Sequence, residues 1–136
     1  YHAMANFEYG LSITSFGEFE KANEYMIKSV ELNPISKNET YTNTMLMLSN
    51  IGQRDFENAL VCINKALEIE PNFTGGIGFK ASILAHLDRI EESKELLAQY
   101  QEKRPKVKKI SDYEKVAPTV IKEVLTEGLL KAGMLE

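Results

Sequence analysis

The sequence predicts an all-α chain, an α-α superhelix of three helix-turn-helix repeats followed by C-terminal capping helices. Three observations carry that prediction. Prolines recur at Pro34, Pro71 and Pro105, and twelve residues before each stands a small residue, Ala22, Ala59 and Ser93, so the spacing is 37 and then 34 residues. A self-similar period in this range is the signature of a repeat array. Between these marks "ANEYMIKSVELNP" (22–34), "ALVCINKALEIEP" (59–71) and "SKELLAQYQEKRP" (93–105) carry apolar residues at helical intervals. In the second stretch Leu60, Ile63 and Leu67, with Cys62 or Ala66, form one stripe, as an amphipathic helix requires.

Each stretch follows a turn and another helical pattern. In the first repeat, about 3–35, Gly17 separates "NFEYGLSITSF" from "EFEKA". In the second, 37–71, Ser36 with Glu39 reads as a capping box that starts a helix near 37, and Gly52 and Asp55 separate "YTNTMLMLSNI" from "FENA". The third, 72–105, has Asp88 and Glu91 as a capping box for a helix starting near 89. Its first helix opens with Gly75 and Gly76, and each Gly costs about 1 kcal/mol against Ala inside a helix, so a frayed or delayed start is expected there. The prolines stop the second helices, because the ring removes a donor and clashes with the preceding turn.

The pattern of Tyr9, Gly10, Gly17, Phe19, Ala22, Met26, Ser29 and Pro34, repeated as Phe56, Ala59, Ile63, Ala66 and Pro71, resembles the tetratricopeptide repeat family. Small residues in such repeats let paired helices approach, and large ones fill the space between successive pairs. Two departures are visible. The second repeat has about three extra residues before Ala59, which loosens the register of its first helix. The third keeps Ala81 and Ser93 at the close-packing positions but places Gly75 and Gly76 where the family has helix formers or a large aromatic.

At 136 residues, 43% apolar and 26% charged, the chain is long enough to bury a working core. A net charge of −4 argues against general affinity for nucleic acid or an anionic membrane, which need concentrated positive charge. The one basic run, Lys103, Arg104, Lys106, Lys108 and Lys109, reads first as a solvated connector and second as a binding patch. A lone cysteine, Cys62, makes no internal disulfide, so a reducing cytoplasm is the expected location. No run of about 18 apolar residues and no charged-then-apolar leader is found, so no membrane segment is expected within the chain. Because the first residue is Tyr1, a segment of a longer protein is expected.

Candidate chemistry is sparse. Cys62 lies between Val61 and Ile63 and reads as a buried thiol, not a nucleophile. His86 ends the first helix of the third repeat, where a helix C-terminus favours a cation. The two histidines, His2 and His86, stand far apart, Asp55, Asp88 and Asp112 have no ligand spacing, and "GGIG" at 75–78 lacks the Lys and Ser/Thr of a phosphate loop. The expectation is therefore no catalytic residue, no cofactor and no metal. An enzyme built on helical hairpins is the less favoured alternative.

The resemblance implies a concave groove lined by the first helices, in which peptides or helices lie. Phe7, Leu11, Thr14, Asn43, Leu46, Asn50, Ser82 and His86 are placed on it. Apart from Asn43 and Asn50 it lacks the Lys, Arg and Asn of a carboxylate clamp, so a helix or apolar segment suits it better. The partner expected is a protein or peptide, or a second copy of the chain; the alternative is a structural scaffold whose groove is filled internally.

Residues 106–136 read as a linker and caps. Ser111 with Glu114 in "SDYE" marks a short helix that Pro118 interrupts, and a second helix is expected over about 119–132. Ile121, Val124, Leu125, Gly128 and Ala132 form its packed stripe; Lys122, Glu123, Thr126 and Lys131 face away. Gly133 supplies a left-handed stop, with Leu135 folding back as its apolar partner. The closing "EGLLKAGMLE" is similar to the "EGLRKAGLPE" ending of bacterial repeat regions attached to class III adenylate or guanylate cyclases and to winged-helix regulators, agreeing at Glu127, Gly128, Leu129, Lys131, Ala132, Gly133 and Glu136. That resemblance implies a C-terminal domain of a larger bacterial signalling protein, with Glu136 its native end.

Overall fold

A computed structural model describes residues 39–136. The first repeat, 3–35, and Ser36 of the Ser36–Glu39 capping box lie outside the described residues. The fold class is all-α, built of helical hairpins as in α-α superhelices. Among the described residues the only extended pairing is an isolated bridge between Lys109 and Leu135. No helix among them is long and apolar enough to cross a membrane. The chain divides into two compact units between Pro71 and Asn72.

In the first unit, α1 (Glu39–Gly52) packs on α2 (Phe56–Ile69). The turn between them is a Schellman motif: Arg54 is left-handed at φ 59°, its N–H bonds Ile51 O at 2.9 Å, and Asp55 N–H bonds Asn50 O at 2.8 Å. Asp55 then caps α2, with Oδ1 accepting from Asn58 N at 3.3 Å and Oδ2 from Asn58 Nδ2 at 2.6 Å. The face that α2 buries is Ala59, Ile63 and Ala66, all fully inaccessible. Ala59 and Ala66, one side of that face, carry no bulk beyond Cβ, which permits close helix approach. Met47 and Ile51 of α1 are as deeply buried.

The second unit pairs α3 (Thr74–His86) with α4 (Ile90–Lys103). Its turn repeats the first: Asp88 is left-handed at φ 61°, its N–H bonds Ala85 O at 3.0 Å, and Arg89 N–H bonds Leu84 O at 2.9 Å. The expected Asp88–Glu91 capping box is therefore corrected. Asp88 is the stop of α3, and a left-handed residue cannot also hold the extended backbone of an N-cap; Arg89 takes that place without a side-chain cap bond. Buried Ser93 donates to Ala81 O at 2.6 Å, so its hydroxyl is satisfied where α3 and α4 touch.

The delayed start expected for α3 is also corrected, since the helix begins at Thr74 and includes both glycines. Packing outweighs propensity here, and Gly76 is buried. The Phe73 ring lies over the opening turn, 3.3 Å from where a Gly75 Cβ would be, and packs edge-on against Phe79 at 6.3 Å. At Gly78, a Cβ would stand 3.0 Å from the Tyr100 ring, so the glycine lets α4 lie close.

Beyond α4, α5 (Ile110–Glu114), a 3₁₀ turn (Thr119–Ile121) and α6 (Lys122–Lys131) close the unit. Ser111–Glu114 does not cap α5. Asp112 does so instead, its Oδ2 accepting from Lys108 N at 3.1 Å and Lys109 N at 3.2 Å. These two bonds and the nearby Lys109 and Lys115 charges hold the Asp112 carboxyl below its ordinary range.

Ile121, Leu125, Gly128 and Ala132 are buried as expected, but so are Leu129 and Thr126, which was expected to face away. Thr126 Oγ1 donates to Glu123 O at 3.1 Å, which makes its burial tolerable. Gly133 has φ 103° and forms the same Schellman stop, with Met134 N–H on Leu129 O at 2.9 Å. Leu135 does not fold back; it is 71% exposed, and Met134 is the buried partner. What Leu135 contributes is its carbonyl, which accepts from Ile110 N at 2.8 Å.

Candidate functional site

The structure places the expected groove residues on helix faces, each within its own unit. Phe7, Leu11 and Thr14 lie outside the described residues. On α1, Asn43, Leu46 and Asn50 follow a helical spacing and are all buried, at 6%, 8% and 4% exposure. Asn50 reaches α2, its Nδ2 donating to Cys62 Sγ at 3.6 Å. Burial pushes the Cys62 thiol up, offset only in part by the Lys65 charge and the Asn50 contact. A thiol above its usual range is a poor nucleophile near neutral pH.

On α3, Ser82 and His86 stand one turn apart on one face, and that face meets α6. Ser82 Oγ donates to Leu125 O at 2.8 Å. His86 Nε2 donates to Val124 O at 2.7 Å, which requires the proton on Nε2. Glu127 Oε2 is 3.9 Å from the same nitrogen. Between the two side chains sits Gly128. A Cβ there would collide with Ser82 Oγ, lie 2.6 Å from Ser82 O and 2.9 Å from His86 Cδ2. The missing side chain is what lets α6 approach until its carbonyls become acceptors for α3.

In the second unit, then, the α3 face holding Ser82 and His86 is occupied by the chain's own terminal helix. Sequence reasoning found Gly128 as a close-contact residue but not its two hydrogen-bonding neighbours. The available signal was a pair of polar side chains four residues apart near the end of a mostly apolar helix, matched with a glycine on the capping helix.

A second feature was not found from the sequence. Phe79, Tyr100, Arg104, Val107, Tyr113 and Val116 line a cavity of about 300 Å³ in the second unit. Burial pushes both phenols above their ordinary range, Tyr113 the more strongly. Among the described residues, no group of three or more His, Cys, Asp or Glu side chains could hold a metal ion.

No curated protein matches this chain. Residues 48–73, which run from the C-terminal part of α1 through α2 to the residue before α3, match the family model of the tetratricopeptide repeat. That match, together with the helical hairpins, supports a tetratricopeptide-repeat domain.

Proposed function

We propose that this chain is a non-catalytic interaction module that binds a protein or peptide, or a second copy of itself, in a cytoplasmic setting. The observation that carries this is the tetratricopeptide match over 48–73 on a helical hairpin, since such repeats generally mediate protein–protein contacts. The proposed partner face comprises Phe7, Leu11, Thr14, Asn43, Leu46, Asn50, Ser82 and His86. Asn43, Leu46 and Asn50 are buried as well, so docking requires that they be uncovered, and a partner reaches Ser82 and His86 only by exchanging with α6. The ending "EGLLKAGMLE" supports a finer reading: the C-terminal domain of a larger bacterial signalling protein, cyclase-linked or a transcriptional regulator.

The seating of α6 on Ser82 and His86 favours a second reading, a scaffold or dimerisation unit with that face filled internally. Sedimentation across a wide concentration range, paired with a peptide-display selection, separates the two. A selected peptide whose binding is lost in Leu11→Glu supports groove docking. A dimer broken by Leu11→Glu, with helicity unchanged, supports self-association. A monomer at every concentration that selects no peptide sinks the interaction reading.

A further inference from the structure

The cavity of the second unit is unusual in what it leaves unpaired. Tyr100 and Tyr113 are 4% and 2% exposed, and their rings meet edge-on with centroids 6.0 Å apart. Neither hydroxyl has a hydrogen-bond partner among the described residues, although buried polar groups are nearly always paired. Arg104 stands one turn beyond Tyr100 at the end of α4 and makes no ion pair among the described residues. Its charge acts on the Tyr100 phenol, opposing the upward push of burial. Gly75 borders the cavity at the first turn of α3, a helix of 13 residues whose opening N–H groups receive no side-chain cap. The polar side chains of the lining are thus two phenol hydroxyls, each able to donate, and the Arg104 guanidinium, the one charged group among them. The rest, Phe79, Val107, Val116 and the two phenol rings, is apolar.

We propose that this cavity binds a small apolar carboxylate. Its aromatic or branched body lies against Phe79, Val107, Val116 and the tyrosine rings, and its carboxylate accepts from the Arg104 guanidinium and a tyrosine hydroxyl. At about 300 Å³ the space is at the lower end of ligand pockets, enough for one ring and a short acid chain. The same chemistry is offered by a free organic acid and by the last residue of a peptide. The site is separate from the Ser82–His86 face and does not depend on the interaction reading.

The test is calorimetric titration of the full chain with 3-phenylpropionate, its neutral amide, and a short acetylated peptide ending in phenylalanine. The acid, the peptide or both are expected to bind, the free acid with Kd on the order of 0.1–1 mM. The amide should bind at least about tenfold more weakly, since charge-assisted bonds are the strong ones. Arg104→Gln and Tyr113→Phe should each weaken the bound acid about fivefold or more. Because its hydroxyl is unpaired, Tyr113→Phe should not lower Tm, which distinguishes a binding role from a structural one. A peptide binding more than about tenfold tighter than the free acid identifies a chain end as the source; equal or weaker binding identifies a free acid. The proposal is overturned if acid and amide bind alike, if neither acid nor peptide binds at about 10 mM, or if both variants leave affinity unchanged.

Discussion

The two described hairpins share a plan and differ in how their first helices are covered. Both turn through a Schellman motif on a left-handed residue that is not glycine, Arg54 in one and Asp88 in the other. Both bring a small residue to the helix contact, Ala59 or Ser93. But α1 is free of glycine until its last residue, whereas α3 contains three, and a fourth on α6 meets it. The lesson is that α3 trades intrinsic helix preference for close approach. Gly78 admits the Tyr100 ring, and Gly128 admits Ser82 and His86.

The largest expected effect breaks that second hairpin alone. Gly128→Ala puts a methyl into Ser82 and His86, and such overpacking costs about 3 kcal/mol. The α6 seat should melt about 10 °C earlier in a thermal scan, with hydrogen exchange accelerating first at residues 122–134. A variant that melts like the wild type would remove the close-approach argument. Next in size, Ser93→Ala makes the second hairpin resemble the first at its contact. Losing the bond to Ala81 O should cost about 1 kcal/mol in urea unfolding.

The turns should respond in the opposite direction. A left-handed conformation costs a side chain about 1–2 kcal/mol, and Gly avoids most of that. Arg54→Gly should stabilise by about 1 kcal/mol and Asp88→Gly by about half as much, because Asp tolerates this backbone better than Arg. Destabilisation by either would show that the turn side chains matter more than the backbone.

The smallest effect concerns Asp112. Its carboxyl is held below the unfolded value, so its contribution is complete above about pH 4 and fades as pH falls through the lower folded value. Wild-type Tm should therefore fall more between about pH 6 and pH 3 than that of Asp112→Asn. Equal falls would mean that the two N–H bonds at the start of α5 contribute nothing.

Much of the repeat plan was legible because it depends on local rules. Prolines end helices wherever they stand, but of the stripe expected on α2 (Leu60, Ile63 and Leu67 with Cys62 or Ala66) only Ile63 and Ala66 are buried, joined by Ala59, while Leu60, Cys62 and Leu67 are half-buried. The capping boxes at Asp88–Glu91 and Ser111–Glu114 fail for different reasons. Two residue types three apart do not say whether the first has extended or left-handed backbone, and at Asp88 the hairpin turn makes it left-handed; nor do they fix where the helix starts, and Ser111 already lies inside α5. Leu135 was misread similarly: the stop at Gly133 was legible, but which of the following apolar residues turned inward depended on the chain's return to Ile110.

The candidate site was less legible still. Asn43, Leu46 and Asn50 share a face because helical geometry demands it, and so do Ser82 and His86. That α6 would cover the latter pair followed from no periodicity, only from the fit of Gly128 between two polar side chains. By itself, then, the sequence determined the helices, their stops and the small residues at their contacts, since each depends on neighbours within a few positions. Only the tertiary structure decided that Gly75 and Gly76 stay helical, that α6 accepts bonds from α3, and that two phenols share a cavity with Arg104. The bonds to α6 join residues 43 and 38 positions apart, and the cavity draws its lining from Gly75 to Val116, separations that no local rule reads.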